Sequence, residues 1–167
     1  MRQLAKYSYV NAKIRALLSF LLQPALFERM ISAHDLDEVL SILKTTTYRE
    51  VVEKLPGEST TLLPLEKALL KDNLDACWKI YDAIFGKQEK AFIFLLLQRY
   101  ELEELKVSLR IWYKKEPVDL NDYLLGETIA HRIDFRKIIS SQDIEEIISI
   151  LDQTPYKRPL TDALERF

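Results

Sequence analysis

The sequence predicts an all-α protein of repeated helical modules, each copy a long helix followed by short ones. Three observations carry that prediction. The stretch Met30–Tyr48, MISAHDLDEVLSILKTTTY, recurs 108 positions later as Ile138–Tyr156, IISSQDIEEIISILDQTPY, with nine of nineteen positions identical. Apolar residues fall at helical rather than alternating spacing. Only three glycines and six prolines occur in 167 residues that are 48% hydrophobic, which suits a compact helical chain and not a sandwich or a disordered tail.

The repeated block has a legible physical content. Leu36, Val39, Leu40 and Leu43 fall at i, i+3, i+4 and i+7, and Ile144, Ile147, Ile148 and Leu151 repeat that apolar stripe. Ser32 with Asp35, and Ser140 with Asp143, have the spacing of an N-cap residue and a first-turn acid. There a hydroxyl accepts from a free backbone N–H and a carboxylate faces the positive helix end. Thr45–Thr47 and Thr154–Pro155 break each helix, and Tyr48 and Tyr156 follow as aromatic anchors. Capping accounts for Asp35 and Asp143 without invoking catalysis.

In chain order, residues 3–22 read as a long helix with Tyr7, Val10, Ile14, Leu17 and Leu21 on one seam. Pro24 stops it and suits the first turn of the next helix, Ala25–Ile31. The first block and a further turn or two, Tyr48–Leu55, lead to PGEST, residues 56–60, the clearest loop. Pro64–Lys71 and Leu74–Phe85 then read as two helices, the second closed by Gly86. Gln88–Lys114 reads as one long helix. Its first half, Ala91–Leu97, is apolar all round and is expected to be deeply buried. Its second half narrows to Leu102, Leu105, Leu109 and Trp112, with Glu101, Glu103, Glu104, Lys106 and Arg110 outside that stripe.

Pro117 breaks the chain after Lys114. Asp119–Arg132 suggests a short helix or two around Gly126, and Phe135–Ile139 a short helix before the second block. A final helix follows Pro159. The expected organisation is one helical domain, 1–167, with modules of about 1–60 and 88–167 joined by helices within 62–86. Lys13 aligns with Lys106 at an offset of 93, so the second module carries fifteen extra residues before its block.

Several function classes are excluded or disfavoured by the residues. Gly57, Gly86 and Gly126 cannot form a phosphate-cradling or dinucleotide loop. There is no HExxH, and Cys77 alone supports neither a disulfide framework nor a thiolate metal site. With no histidine near it in sequence, Cys77 reads as a small buried hydrophobe beside Trp78. His34 suits a helix start and His131, beside Arg132, a solvent-facing role. The acidic pairs Asp37/Glu38, Glu103/Glu104 and Glu145/Glu146 flank apolar stripes and read as solvated faces. No catalytic, cofactor or metal residue is expected. A net charge of −2 and tyrosines not spaced for base stacking argue against nucleic acid. The longest apolar run is too short to span a bilayer, and the amphipathic N-terminus lacks a signal-peptide core, so a cytoplasmic location is expected. Lys114, Lys115, Lys157 and Arg158 are basic pairs outside the expected helices and form a candidate patch for an anionic partner.

Three stretches carry a family resemblance: YSYVNAKIRALLSFLL at the N-terminus, the block MISAHDLDEVLSILKTTTY, and RYELEELKVSLRIWYKK at Arg99–Lys115. Together they resemble the C subunit of the archaeal and bacterial V-type (A-type) ATPases, whose counterpart in the eukaryotic vacuolar ATPase is the d subunit. Glu104 stands where that family's third stretch has asparagine. The resemblance implies a non-catalytic central-stalk rotor part without a cofactor. Such a part is a funnel-shaped helical socket on the cytoplasmic side of the membrane proteolipid ring. It receives the central shaft and couples ATP hydrolysis or synthesis to ion and proton transport. Family members complete a third module around a pseudo-threefold axis, so this chain is expected to be a shortened member or fragment, a partial funnel with an apolar flank open to self-association. Two further readings stand beside it: a free-standing helical adaptor with an exposed groove, and a helical hydrolase, which requires a pocketed carboxylate of raised pKa.

Overall fold

The computed structural model describes residues 2–55, 61–115, 119–125 and 128–166. The expected PGEST loop, the break at Pro117 and the bend at Gly126 lie outside the described residues. Ten helices and no strand occur among the described residues: α1 (Arg2–Ser19), α2 (Pro24–Ile31), α3 (Leu36–Leu43), α4 (Arg49–Glu53), α5 (Leu62–Ala83), α6 (Lys87–Lys114), α7 (Leu120–Tyr123), α8 (Phe135–Ser140), α9 (Ile144–Ile150) and α10 (Lys157–Leu164). The all-α class is therefore as the sequence predicts. The chain divides into two compact units, Met1–Ile93 and Phe94–Phe167, with the division inside α6.

In the first unit α1 stops at Ser19, three residues before the expected end. The Phe20 and Leu21 N–H groups turn back to the Leu17 and Leu18 carbonyls at 3.1 and 3.2 Å, and the Ser19 hydroxyl donates to the Ala16 carbonyl at 2.6 Å. Pro24 is the first residue of α2, where its missing N–H costs nothing. The main core gathers Leu40 and Leu43 of α3, Val52 of α4 and Leu65 of α5, with Met30 and Tyr48 packed against them. A smaller cluster joins Val10 of α1 to Ala83 and Ile84.

Residues 62–83 form one helix where two were expected. Asp72 and Asn73 lower helix propensity by only about 0.7 kcal/mol each, and burial of Leu65, Leu74 and Ala83 along the continuous helix outweighs that. Gly86 does not close this helix. Its carbonyl accepts from the Lys90 N–H at 3.0 Å, so it opens α6.

The two copies of the block have matching local hydrogen bonds. Asp35 Oδ1 accepts from the Glu38 N–H at 2.8 Å, and Asp143 Oδ1 from the Glu146 N–H at 2.9 Å. Each glutamate reaches back in turn, Glu38 to the His34 N–H at 2.9 Å and Glu146 to the Gln142 N–H at 3.0 Å. Past the helix, Thr46 and Thr154 donate to the Leu43 and Leu151 carbonyls and accept from the Tyr48 and Tyr156 N–H groups. Ser32 and Ser140 are not the caps. Ser32 closes α2, and Ser140 ends α8 with its hydroxyl on the Lys137 carbonyl. The aspartates hold the extended backbone that an N-cap requires, so each helix starts one residue after the aspartate.

Two expectations about α6 are overturned. Ala91–Leu97 is not deeply buried: Phe92 and Leu95 are 61% and 62% exposed, and in that run only Leu97 is fully enclosed. Glu101 and Glu104, expected on a solvated face, are buried, whereas Leu102 is exposed. The enclosed face of α6 consists of Leu97, Glu101, Glu104, Leu105 and Ser108. It is mixed rather than apolar because two carboxylates are fully engaged there.

Candidate functional site

Two features stand apart from ordinary packing, one in each unit. The first is an apolar groove of about 510 Å³ built from Tyr7, Val10 and Ile14 of α1, Ile84 and Phe85 after α5, and Phe92 of α6. α1 reaches this core through Val10 while Tyr7 and Ile14, two of the five residues of its predicted seam, stay exposed along the groove. Phe85 is 77% exposed. At the rim, the Tyr7 hydroxyl donates to the Glu89 carboxylate, and Lys90 Nζ lies 4.5 Å from the centre of the Tyr81 ring. The groove can receive an apolar side chain or helix face. Its polar lining is Tyr7, Gln88 and Glu89, with the Tyr7 hydroxyl and the Glu89 carboxylate hydrogen-bonded to each other.

The second feature is a buried polar cluster. Glu101 Oε2 accepts from the Ala130 and His131 N–H groups at 2.8 and 2.5 Å, while Oε1 lies 2.6 Å from His131 Nδ1. The His131 ring stands edge-on to Phe94 and Tyr156, with centroids 5.4 and 5.9 Å away. The Tyr156 hydroxyl donates to the Gln98 carbonyl at 3.2 Å. Burial, reinforced by the Glu101 charge, pushes Tyr156 ionisation well above the usual phenol range. One turn along α6, Glu104 Oε1 accepts from the Leu125 N–H at 2.8 Å, and the buried Ser108 hydroxyl donates to the Glu104 carbonyl. Glu103, by contrast, is exposed and ion-paired. Its hydrogen bond to Lys106, then that residue's charge, holds its carboxyl below the ordinary range. Among the described residues no group of three or more His, Cys, Asp or Glu side chains is arranged to hold a metal ion.

The basic residues fall in two places. Lys114 is the last residue of α6, and Lys115 follows at φ 53° with its N–H on the Ile111 carbonyl, a left-handed helix cap. Lys157 and Arg158 do not lie on a loop. They open α10, with Lys157 bonded to Asp152 and Arg158 3.7 Å from Asp162, so much of their charge is answered locally. Cys77 is half-buried, and that burial pushes its thiol pKa up, away from nucleophilic use.

The family model for the ATP synthase (C/AC39) subunit matches residues 10–167. The chain belongs to that family. Among relatives, the A-type ATP synthase C subunit of Thermococcus kodakarensis is 24% identical over 160 residues, covering 95% of this chain and 42% of the relative. That of Archaeoglobus fulgidus is 25% identical over 157 residues, covering 94% and 45%. That of Methanocaldococcus jannaschii is 25% identical over 167 residues, covering 98% and 41%. The chain therefore spans less than half the length of these relatives. No solved structure matches it.

In this member of the family, sequence reasoning missed the Glu101–His131 pair altogether. The carboxylate's partners are 29 and 30 positions away, and two of them are backbone amides with no side-chain signature. The one available signal was the i, i+3 spacing of Glu101 and Glu104, which puts both acids on one helix face with Leu97, Leu105 and Ser108.

Proposed function

We propose that the chain acts by protein–protein contact as a non-catalytic central-stalk subunit of an A-type (V-type) ATPase or ATP synthase. It links the membrane proteolipid ring to the rotary shaft and so couples ATP turnover to ion transport. The observation that carries this reading is the family match across residues 10–167. Two further observations support it. The groove on the first unit offers mainly apolar surface, and the buried carboxylates are spent on backbone amides and an imidazole rather than aimed at a substrate. In this role the chain is peripheral to the membrane on its cytoplasmic side; no helix among the described residues is long and apolar enough to cross a membrane. The doubled block, with its matched hydrogen bonds, fits a partial funnel of repeated modules.

The test is affinity capture of the tagged chain from detergent-solubilised membranes of its own organism, with partners identified by mass spectrometry. Co-purification of the proteolipid ring and shaft proteins is the expected result. Recovery of soluble, unrelated proteins alone would sink the rotor reading and favour a free-standing helical adaptor. That second reading predicts an exposed groove lined by one module face, and the groove on the first unit is the observation that favours it. Self-association through the groove would appear as a concentration-dependent mass in light scattering.

A further inference from the structure

We propose that Glu101 is a latch: it holds residues 128–133 against α6, and this segment opens as a local unit while α6 and α9 stay folded. The latch rests on the geometry of the second unit alone and does not depend on the rotor reading.

The segment lies between α7 and α8 and contributes no helix of its own. Among the described residues, its own backbone pairing is a single turn, Ile133 N–H to the His131 carbonyl at 3.0 Å. The Ala130 and His131 amides both end on one side chain of another element, Glu101, and so does the His131 ring. Three contacts of an otherwise irregular stretch thus converge on one buried carboxylate. A carboxylate in that position forms charge-assisted hydrogen bonds, and its removal leaves buried N–H groups without an acceptor. Ile129, fully enclosed, is the apolar part of the same closure.

The neighbouring elements are closed independently of the latch. Asp134 Oδ1 accepts from the Lys137 N–H at 3.0 Å and caps α8 by itself. α9 has its own reciprocal cap through Asp143 and Glu146. Opening 128–133 leaves the Asp134 cap and the Ile138 N–H bond to the Asp134 carbonyl in place and so breaks no helical hydrogen bond, the condition for a sub-global rather than a global event. Tyr156 ties the end of the repeated block to the same place, with its hydroxyl on Gln98 and its ring against His131. The first copy has no equivalent acids. At the offset of 93, Glu101 and Glu104 align with Ser8 and Asn11, both on the exposed surface of α1.

Residue-resolved amide hydrogen exchange on the whole chain tests this. In Glu101→Gln, the Ala130 and His131 amides are expected to exchange about tenfold faster or more, with the Ile147 amide of α9 unchanged. His131→Ala, which keeps the Glu101 carboxylate, is expected to show the same locality with a smaller acceleration. In the Glu101→Gln background it should add little, because the two side chains share one contact. Equal acceleration at Ala130 and Ile147, no acceleration at Ala130, additive effects of the two substitutions, or loss of the fold in Glu101→Gln would each overturn the latch.

Discussion

Asp35 and Glu38 close the start of α3 reciprocally: Asp35 accepts the Glu38 N–H at 2.8 Å, and the Glu38 carboxylate reaches back past it to the His34 N–H at 2.9 Å. The same arrangement at Asp143 and Glu146 satisfies two of the N–H groups left free at the start of α9.

Asp35→Ala and Asp143→Ala should each cost about 1 kcal/mol of stability, the usual loss of an N-cap. Ser32→Ala and Ser140→Ala should change stability by less than about 0.5 kcal/mol, since neither serine caps the helix that follows. Urea titrations of the four variants separate the two roles. A serine variant as damaging as its aspartate neighbour would reverse the assignment.

Leu40→Ala and Ile147→Ala should each destabilise by about 2–5 kcal/mol, because each removes buried side-chain volume from a packed helix face. Chemical denaturation followed by circular dichroism measures this directly. Unchanged midpoints would mean that the apolar stripes of the block are not core.

Tyr156 gives the chain an alkaline limit. Its folded-state ionisation lies above that of an unfolded tyrosine, so its contribution is fully present below about pH 10 and fades as pH rises beyond that. The unfolded chain loses the phenolic proton there first. Tyr156→Phe should flatten this alkaline decline and cost about 1 kcal/mol at neutral pH through the lost bond to Gln98. Identical stability-versus-pH curves above about pH 10 for the two proteins would contradict it.

Phe85→Ser and Phe92→Ser remove exposed apolar surface from the groove and should leave stability within about 0.5 kcal/mol. If the groove receives a partner, the same variants should reduce the yield of co-purified proteins. Full retention of every partner would move the contact surface elsewhere.

The parts of this fold legible in the sequence are those whose causes are local. The short helices with their apolar stripes, the threonine breaks and the proline start of α2 depend on residues a few positions apart, and each occurs where the spacing indicates. The caps, however, are Asp35 and Asp143 rather than the serines three residues before them. What failed depended on distant partners. Nothing near Glu101 in sequence announces the Ala130 amide, so its charge read as solvated. The run Ala91–Leu97 read as interior because apolar composition reports affinity for burial, not whether a cover exists. α5 read as two helices because Asp72 and Asn73 are weak local breaks, and only the burial on either side of them shows which effect is larger. The groove was not anticipated at these residues, since its walls come from three helices.

The acidic inner face of α6 also makes the two halves of the chain non-interchangeable. A chimera carrying the α1 sequence in place of the second half of α6 would set Ser8 and Asn11 where the Ala130, His131 and Leu125 amides need carboxylates. The reverse swap would set two acids on the solvent-facing side of α1, where Ser8 and Asn11 are exposed. Two segments that share a common block have thus become committed to their order along the chain, and recombination between them would yield proteins with a correctly capped helix in the wrong surroundings.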